Sequence, residues 1–408
     1  MSLLEQYIPV VGAPAVEELR LLARHLEGRR LVTVNSTAVG GGVAEILSRM
    51  VPVCNELGVQ VRWDVIKGGE DFFAVTKRMH NALHGKAEPF SAHDREVYRA
   101  TTAQNLAVMD LDADIVFIHD PQPAGLVAGR GSRPSGWIWR CHIDLSAPQA
   151  DVWEFLAESV SRYDAVVFSA PQFARDLTMP QVMIAPSIDP LSDKNRELDA
   201  AEIGAVLERL QVPLDKPIVT QVSRFERLKD PVGVIQAFQL ARRHNDCRLV
   251  LAGGGAADDP EGKAVLAAVH EAADGDPDVH VLDLPPTAHL EINALQRAST
   301  IVLQKSLKEG FGLTVSEALW KGKPVIASAV GGIPLQITHR FSGILTHSIE
   351  GTAFWIKQLL NAPDYARRLG ENGRENVRTN FLLTRHLREY LLLFLFLEHQ
   401  RERVIYLH

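Results

Sequence analysis

Short apolar runs rich in β-branched residues alternate with helix-periodic segments along most of the chain. Residues 114–118 and 137–140 are such runs in the first half, and residues 218–222 and 300–304 in the second; residues 59–65 are a further predicted strand. This alternation predicts βα units, and therefore an α/β fold with parallel sheets. Strands of a parallel sheet are covered on both faces, which accounts for runs that are mostly apolar.

The chain is long enough for two domains. Its 408 residues exceed the length at which one hydrophobic core stops growing, and the turn-rich stretch 186–192 predicts the connection. We expect one domain at residues 1–195, a second at 196–385, and a terminal helix at 386–408. The seven consecutive apolar residues 391–397 are too few to span a bilayer. They predict a helix buried against two neighbours, with an oligomer contact as the alternative.

Composition excludes several classes of protein. Apolar residues make up 46% of the chain and charged residues 23%, as in ordinary globular proteins. The net charge of -7, without clustered Lys and Arg, argues against nucleic acid as the main partner. Three widely spaced cysteines, Cys54, Cys141 and Cys247, indicate neither a disulfide framework nor a thiolate zinc site. The N-terminus lacks the features of a signal peptide, so we expect a cytoplasmic protein without transmembrane segments.

Two glutamates eight residues apart, Glu309 and Glu317, frame a glycine-rich turn. Glu309 follows the predicted strand 300–304, and Glu317 falls in the early turns of a helix. Open α/β sheets bind ligands at that edge, helix N-termini attract phosphate, and carboxylates accept hydrogen bonds from sugar hydroxyls. The pattern therefore predicts a sugar-nucleotide site, although two glutamates at this spacing could instead only cap and solvate a helix. Its candidate donor-binding residues here are Glu309, Gly310, Phe311, Gly312, Leu313 and Glu317.

Two cations, Arg224 and Lys229, flank the loop between the predicted strand 218–222 and a helix. Asp230 is expected to cap that helix and Pro231 to begin it. The cations are placed to bind a diphosphate, although both could instead be surface salt-bridge partners. One βα unit later, the glycine-rich run 251–255 adds Gly254 to the donor-binding candidates.

A glycine loop in the first domain, at residues 40–42, lies between a strand and an apolar-periodic helix. Gly41 and Gly42 would let a phosphate or sugar approach the backbone closely, or could merely form a tight turn. The loop is not a dinucleotide fingerprint, because Glu45 stands where the third glycine is required, and the Walker pattern also fails.

Polar residues follow two predicted strands of the first domain. Asp120 and Gln122 come after strand 114–118 and are candidate partners of sugar hydroxyls, although Asp120 could only cap the following helix. His142 follows strand 137–140, at the edge where ligands bind. The D-x-D pairs at residues 110–114 precede their strand and so lie at the wrong edge. We therefore identify no metal ligands and expect protein cations to stabilise a departing diphosphate.

The E-x7-E motif of Glu309 and Glu317 resembles that of the retaining glycosyltransferases with two Rossmann-like domains, the GT-B architecture of family 4, or group 1. This resemblance implies that Glu309 binds the donor hexose, Glu317 its ribose, and His142 the donor glucose. Arg224 and Lys229 match the diphosphate-binding pair. The segments 34–45, 118–123, 139–146 and 186–195 are more narrowly similar to trehalose glycosyltransferring synthases.

Membership of that family would imply a hexosyltransferase that moves glucose from a nucleoside-diphosphate glucose to free D-glucose. The products would be α,α-trehalose, with retained configuration, and NDP, in a reversible reaction. The catalytic residues would be His142, Arg224, Lys229 and Glu309, and the acceptor would contact His80, Asp120 or Gln122. We expect sheets facing across a cleft, no tightly bound cofactor, Mg²⁺ at most as an aid, and a homodimer as one candidate assembly.

Other functions stay open on the sequence alone. A retaining trehalose phosphorylase would share the fold and use inorganic phosphate, and a transferase of the same family could take another acceptor. A non-catalytic sugar-nucleotide sensor would bind without turnover. A nicotinamide oxidoreductase is disfavoured by the missing fingerprint.

Overall fold

The computed structural model describes residues 2–39, 41–131, 136–254 and 260–399. Within these residues, two six-stranded sheets form, and all neighbouring strands run parallel. The predicted α/β fold with two parallel sheets is confirmed. The chain divides into two units. One runs to Ser187 and resumes at Leu383, and the other is Ile188–Leu382.

The regular elements of the described residues follow one another in strict alternation over most of the chain. In chain order the strands are β1 (Arg30–Asn35), β2 (Gln60–Val65), β3 (Ile115–His119), β4 (Gly136–Arg140), β5 (Ala165–Phe168), β6 (Gln181–Met183), β7 (Ile218–Val222), β8 (Arg248–Gly253), β9 (Val279–Asp283), β10 (Ile301–Gln304), β11 (Val325–Ser328) and β12 (Ile344–Thr346). The helices are α1 (Ile8–Val11), α2 (Ala13–Arg24), α3 (Gly42–Glu56), α4 (Glu70–Leu83), α5 (Ala92–Leu106), α6 (Ala150–Val160), α7 (Ala200–Arg209), α8 (Pro231–Arg242), α9 (Pro260–Ala273), α10 (His289–Ala298), α11 (Leu313–Trp320), α12 (Ile333–Gln336), α13 (Ile349–Asn361), α14 (Pro363–Asn380) and α15 (Leu383–Glu398).

The sheet of the first unit has the order β2-β1-β3-β4-β5-β6. The chain leaves β1 for β2 on one side and returns to β3 on the other, so the carboxyl ends of β1 and β3 form a topological switch point. The central strands β1, β3, β4 and β5 are almost entirely buried, and Trp137, Trp139 and Phe168 are among the largest buried side chains. This core fixes the positions of the loops that follow β1, β3 and β4.

The sheet of the second unit has the order β12-β11-β10-β7-β8-β9. Read from β9, this is the order 3-2-1-4-5-6 that is typical of dinucleotide-binding folds, with its switch point between β7 and β10. Leu303 of β10 pairs with Gln221 of β7. The loops that follow these two strands therefore start side by side at one edge of the sheet.

The last helix, α15, packs within the first unit, against α2 and the sheet. The ring of Phe117 on β3 contacts those of Tyr390 and Phe394, with centroids 4.9 and 5.9 Å apart, and Leu391 is fully buried. This packing accounts for the seven consecutive apolar residues 391–397. The predicted terminal segment extended over residues 400–408, which lie outside the described residues. No helix in the described part of the chain is long and apolar enough to cross a membrane.

The structure changes unit after Ser187, eight residues earlier than the predicted boundary at 195. The physical reason is that residues 188–195 fold onto the second unit. Asn195 Oδ1 accepts a hydrogen bond from Lys321 Nζ at 3.0 Å, and Lys194 forms an ion pair with Glu317 at 3.2 Å. The return to the first unit falls at Leu383 instead of residue 386.

Candidate functional site

The loops after β7 and β10 are joined by hydrogen bonds at the switch point of the second unit. The buried Gln221 side chain accepts from the Lys305 amide at 2.8 Å and donates to the carbonyl of Lys229 at 2.9 Å. The Leu307 amide donates to the Leu228 carbonyl at 2.8 Å. Because these bonds hold the two loops together, residues distant in the sequence meet at one edge of the sheet.

Lys229 and Glu309 form an ion pair there, with 2.6 Å between Nζ and Oε2. The Ser306 hydroxyl and the Gln304 amide also donate to Oε2, at 3.1 and 3.4 Å. The side chains of Lys229 and Glu309 are only 16% and 10% exposed. All recorded contacts of this carboxylate with the described residues fall on Oε2, so Oε1 can accept a hydrogen bond from a ligand hydroxyl.

Arg224 lies in the same loop as Lys229 but faces a different partner. Its guanidinium pairs with Glu226 at 2.8 Å, and its side chain is 63% exposed. The contacts therefore join Lys229 to Glu309 and leave Arg224 outside that pair. Asp230 caps α8 through the amide of Gly233 at 3.2 Å, and Pro231 begins the helix, as the sequence predicts.

The turn from Glu309 to Leu313 is packed too tightly for side chains at neighbouring glycines. A Cβ at Gly331 would lie 1.5 Å from the Glu309 carbonyl oxygen. Gly312 has φ of +82° and forms the N-cap of α11, which begins at Leu313. Gln336 Nε2 donates to the carbonyl of Phe311 at 2.5 Å. The backbone of Gly310, Phe311 and Gly312 is thereby fixed beside the first turn of a helix, whose free amides suit a phosphate.

Glu317 lies in the second turn of α11 and is 1% exposed. Its Oε1 pairs with Lys194 at 3.2 Å, whereas Oε2 is buried without a hydrogen-bond partner among the described residues. A buried oxygen without a partner is costly, and a ligand hydroxyl would satisfy it. One turn later, burial lowers the pKa of Lys321 to about 7. Lys194 was not singled out from the sequence, because it lies in the connection between the domains and not after a strand.

Close packing explains why glycines stand at the end of β8 and directly after it. A Cβ at Gly253 would lie 1.9 Å from the Ser223 carbonyl oxygen, and one at Gly254 would lie 2.1 Å from that of Leu284. Close approach of neighbouring backbones therefore requires glycine at both positions. A donor contact through Gly254 stays a prediction, and Gly255 of the same run lies outside the described residues.

At the switch point of the first unit, Asp120 follows β3 and His142 follows β4. The main-chain amide of His142 donates to Asp120 Oδ1 at 2.8 Å. Asp120 has φ of +68°, a conformation that Asp tolerates better than most residues. Burial raises the pKa of Asp120 to about 6, although the hydrogen bond from His142 opposes this shift. The carboxylate thus binds the β4 loop instead of capping the short helix that follows it, which has no side-chain cap.

Two residues that the sequence did not single out, Thr33 and His119, complete this cluster. Thr33 Oγ1 lies 3.0 Å from His119 Nε2, and His119 Nδ1 lies 3.1 Å from His142 Nε2. Burial lowers the pKa of His119 to about 3, and burial together with the charge of Arg140 holds that of His142 well below its ordinary value. His119 could have been found from the sequence by its position at the end of a buried strand, directly before Asp120.

Other predicted residues of the first unit lie in separate surroundings. His80 is on α4, where its ring contacts that of His84 with centroids 4.7 Å apart. Gln122 Oε1 is buried without a hydrogen-bond partner in the described part of the chain. Gly41, with φ of +91°, precedes α3, which begins at Gly42. Nothing lies within 4 Å of a Cβ at Gly41, so a ligand could approach it. Gly40 lies outside the described residues.

The D-x-D pairs before β3 are engaged in ion pairs at the amino edge of the sheet. Asp112 pairs with Arg30 at 3.4 Å and Asp110 with Arg62 at 3.3 Å, and Asp114 accepts from the amide of Arg30 at 2.9 Å. Their carboxylates therefore stabilise the start of the strands. Over the described ranges, no three His, Cys, Asp or Glu side chains are grouped as a metal site.

Comparison with known proteins assigns both units to glycosyltransferase families. Residues 33–175 match the model of the trehalose synthase N-terminal domain, and residues 205–376 match that of glycosyl transferases group 1. A trehalose synthase of Pyrococcus horikoshii is 43% identical over 95% of both chains. A trehalose phosphorylase of Pleurotus pulmonarius is 30% identical over 84% of this chain and 54% of its own length.

A solved structure shares the fold at low sequence identity. The trehalose-6-phosphate synthase OtsA superimposes with a TM-score of 0.72 at 14% identity, covering 92% of this chain and 99% of the other. The two parallel sheets and the family matches agree with each other. The chain belongs to the trehalose synthase family of GT-B glycosyltransferases.

Proposed function

We propose that this chain transfers glucose from a nucleoside-diphosphate glucose to free D-glucose, giving α,α-trehalose and NDP with retention of configuration. The observation that carries the proposal is the ion pair of Lys229 and Glu309 at the switch point of the second unit. It combines a cation for a diphosphate with a carboxylate for sugar hydroxyls. The family match supports glycosyl transfer, and these side chains support a nucleotide donor.

The two buried carboxylates of the second unit suit two different parts of such a donor. Glu309 Oε1 would accept from a hydroxyl of the hexose, while Lys229 stabilises the negative charge that develops on the leaving diphosphate. Glu317 Oε2, which is buried and unpartnered in the described part of the chain, would accept from the ribose. The first turn of α11 would contribute its amides to the phosphates. Arg224, which is exposed, would swing from Glu226 to the diphosphate.

Retention would follow from a front-face reaction in which a departing phosphate oxygen takes the proton of the attacking hydroxyl. Glu309 is a poor choice for a covalent nucleophile, because three donors bind its Oε2 and stabilise the carboxylate in place. Orientation of the two sugars would then supply much of the acceleration. Asp120 and Gln122, with His80 as a further candidate, would bind the acceptor glucose. Protein cations carry the charge in this scheme, which includes no resident metal or cofactor.

A trehalose phosphorylase is the second candidate, because such an enzyme is 30% identical to this chain. Its sugar phosphate carries no ribose, so it would leave Glu317 Oε2 without a partner. The pairing of Glu317 with Lys194 favours a site built around that carboxylate, and hence the nucleotide donor. Glu317→Gln should weaken use of a nucleotide sugar and leave a phosphorolytic reaction nearly unchanged.

The reverse reaction separates the two functions. Trehalose would be incubated with the protein and ADP, UDP or GDP, and in parallel with inorganic phosphate, and the products would be resolved by anion-exchange chromatography. The proposal predicts NDP-glucose from at least one nucleotide and no glucose 1-phosphate. Formation of glucose 1-phosphate, without NDP-glucose, would assign the chain as a phosphorylase. Binding of nucleotide without any product would indicate a sensor.

A further inference from the structure

We propose that Thr33 and His119 are positioning residues for glycosyl transfer. Together they hold His142 as the tautomer with its proton on Nδ1, so that the ring offers a hydrogen-bond donor to a sugar oxygen. This inference rests on the proposed function for the role of His142, whereas the tautomer itself can be measured without substrate. Neither Thr33 nor His119 is expected to touch the sugar.

The three side chains form a continuous line across the switch point of the first unit. In the register of the sheet, Thr33 of β1 pairs with Phe117 of β3, so Thr33 lies on the same face as Phe117 and His119. The line runs from Thr33 Oγ1 to His119 Nε2 at 3.0 Å, and from His119 Nδ1 to His142 Nε2 at 3.1 Å. The rings of His119 and His142 lie 19° from coplanar with centroids 5.5 Å apart, as expected for two imidazoles joined end to end.

Both imidazoles are neutral in this setting. His119 is 1% exposed, and its neighbour across the β3–β4 ladder is Arg140, which is fully buried. Burial and the Arg140 charge lower the pKa of both rings, that of His119 to about 3. The carboxylate of Asp120 accepts from the main-chain amide of His142, and no bond from Asp120 to the His142 ring is recorded among the described residues. Each neutral ring therefore has one donor nitrogen and one acceptor nitrogen.

The Thr33 hydroxyl decides which nitrogen carries the proton. Thr33 is 2% exposed, and among the described residues its hydroxyl has one recorded partner, His119 Nε2. If His119 donated to Thr33, the hydroxyl proton would be buried without an acceptor, which is costly. Thr33 therefore donates to Nε2 of His119. His119 then carries its proton on Nδ1 and donates to Nε2 of His142, which leaves the His142 proton on Nδ1.

The direction of these hydrogen bonds determines what His142 offers a ligand. His142 is half-buried, and no bond to its Nδ1 from the described residues is recorded. An N–H at that position donates to a hydroxyl or ring oxygen, whereas the other tautomer would present only an acceptor. Carboxylates such as Asp120 already supply acceptors, so the donor adds a complementary contact to a sugar.

The tautomer can be read by ¹⁵N NMR of protein labelled at histidine, at neutral pH and without substrate. The His142 signals would be identified by their loss in His142→Gln. In the wild-type protein we expect a protonated Nδ1 and an unprotonated Nε2. Thr33→Ser, which keeps the hydroxyl, should preserve this pattern, whereas the isosteric Thr33→Val should shift the population toward the other tautomer. A wild-type His142 protonated on Nε2 would overturn the proposal.

Kinetics then test whether the tautomer matters for transfer. Thr33→Val should lower kcat/KM by about threefold to tenfold, which corresponds to the loss of one net hydrogen bond. The unfolding temperature should stay unchanged. Thr33→Ser should stay within about twofold of wild type. If Thr33→Val does not fold, His119→Asn, whose amide can replace Nδ1, should retain more activity than His119→Leu. Equal activity within either pair would refute the positioning role. A wild-type protein without transfer activity would refute the proposed function and leave the NMR result standing.

Discussion

At the scale of single residues, the candidate donor site contains two buried carboxylates, and one oxygen of each is already bonded to protein side chains. Oε2 of Glu309 accepts from Lys229, Ser306 and Gln304. Oε1 of Glu317 is paired with Lys194, and its Oε2 is buried without a partner in the described ranges. The bonds to Glu309 Oε2 and Glu317 Oε1 hold these two side chains in place. We propose that the other two oxygens accept hydrogen bonds from ligand hydroxyls, which would satisfy the buried oxygen of Glu317.

Arg224→Ala should affect turnover and not folding. The side chain is 63% exposed and pairs only with Glu226 in the described contacts, so we expect a change of less than about 0.5 kcal/mol in the free energy of unfolding. Loss of a cation from the diphosphate should lower kcat by about 100-fold. Arg227→Ala, an exposed arginine in the same loop, is the control and should keep wild-type turnover. Equal kinetics for both variants would remove Arg224 from the mechanism.

Lys229 and Glu309 should behave as one unit in a double-mutant cycle. Lys229→Met leaves the carboxylate without its cation, and Glu309→Gln leaves the cation without its partner at 2.6 Å. Because each variant already breaks the pair, the double variant should be within about threefold of the worse single one in kcat/KM. Steady-state kinetics of the three proteins measure the coupling. If the fold-loss in kcat/KM of the double variant equals the product of the two single losses, the two side chains act independently.

The charge of Asp120 should make stability depend on pH in an identifiable window. Its pKa of about 6 in the folded protein exceeds the ordinary value of 3.8, so between these values the folded state holds a proton that the unfolded state has released. Stability contributed by this group is therefore lost as pH rises through the window. Asp120→Asn keeps an acceptor for the His142 amide and tolerates φ of +68°.

The measurement is the unfolding temperature of wild type and Asp120→Asn from about pH 4 to about pH 8. We expect the variant to gain stability relative to wild type as pH rises, with the difference levelling off above about pH 7. A constant difference would show that the Asp120 carboxyl titrates alike in the folded and unfolded states. A difference that shrinks with rising pH would mean that its pKa is lowered by folding.

The sequence pointed to those candidate site residues that follow strands in polar loops. Glu309, Lys229 and Asp120 each stand in a loop directly after a buried run, where polar side chains are easily recognised. Thr33 could not be found in this way, because a threonine inside a strand has the appearance of ordinary β-propensity. Its role depends on the register that places it beside His119, and register is a property of the assembled sheet.

At the scale of elements, strands and helices with clear boundary signals were predictable, and the strands of three residues were not. The strands β7 and β10 fall where the apolar runs indicate, and α8 begins at the Asp230 and Pro231 signal. The strands β6 and β12 have three residues each, which are too few for a period to emerge. The strand β5 was also not predicted, although it is as long as β10. All three become strands because the neighbouring strands offer them hydrogen bonds.

The apolar face of α15 should be a source of stability within the first unit. Leu391 is fully buried, whereas Phe396 on the same helix is 44% exposed. Leu391→Ala should therefore lower the free energy of unfolding by about 2–4 kcal/mol, and the control Phe396→Ala by less than about 1 kcal/mol. Urea-induced unfolding measures both. A larger loss for Phe396→Ala would indicate that the exposed face of the helix is covered by a partner.

At the scale of the whole molecule, the chain contains two sheets, each with a switch point and polar side chains beside it. The first unit supplies Asp120 and His142, joined at 2.8 Å, and the second supplies Lys229 and Glu309, joined at 2.6 Å. The family models match both units, over residues 33–175 and 205–376. A transferase needs recognition of a donor and of an acceptor, and we propose that the second unit binds the donor and the first unit the acceptor.

The most direct test of the proposed function is NMR of the forward reaction with a donor labelled with ¹³C in its glucose. The protein would be mixed with labelled ADP-, UDP- or GDP-glucose and unlabelled glucose, and the anomeric signals followed over time. The account predicts α,α-trehalose with one labelled ring, formed in step with NDP. Labelled free glucose as the sole sugar product, or a labelled ring in the β configuration, would contradict it.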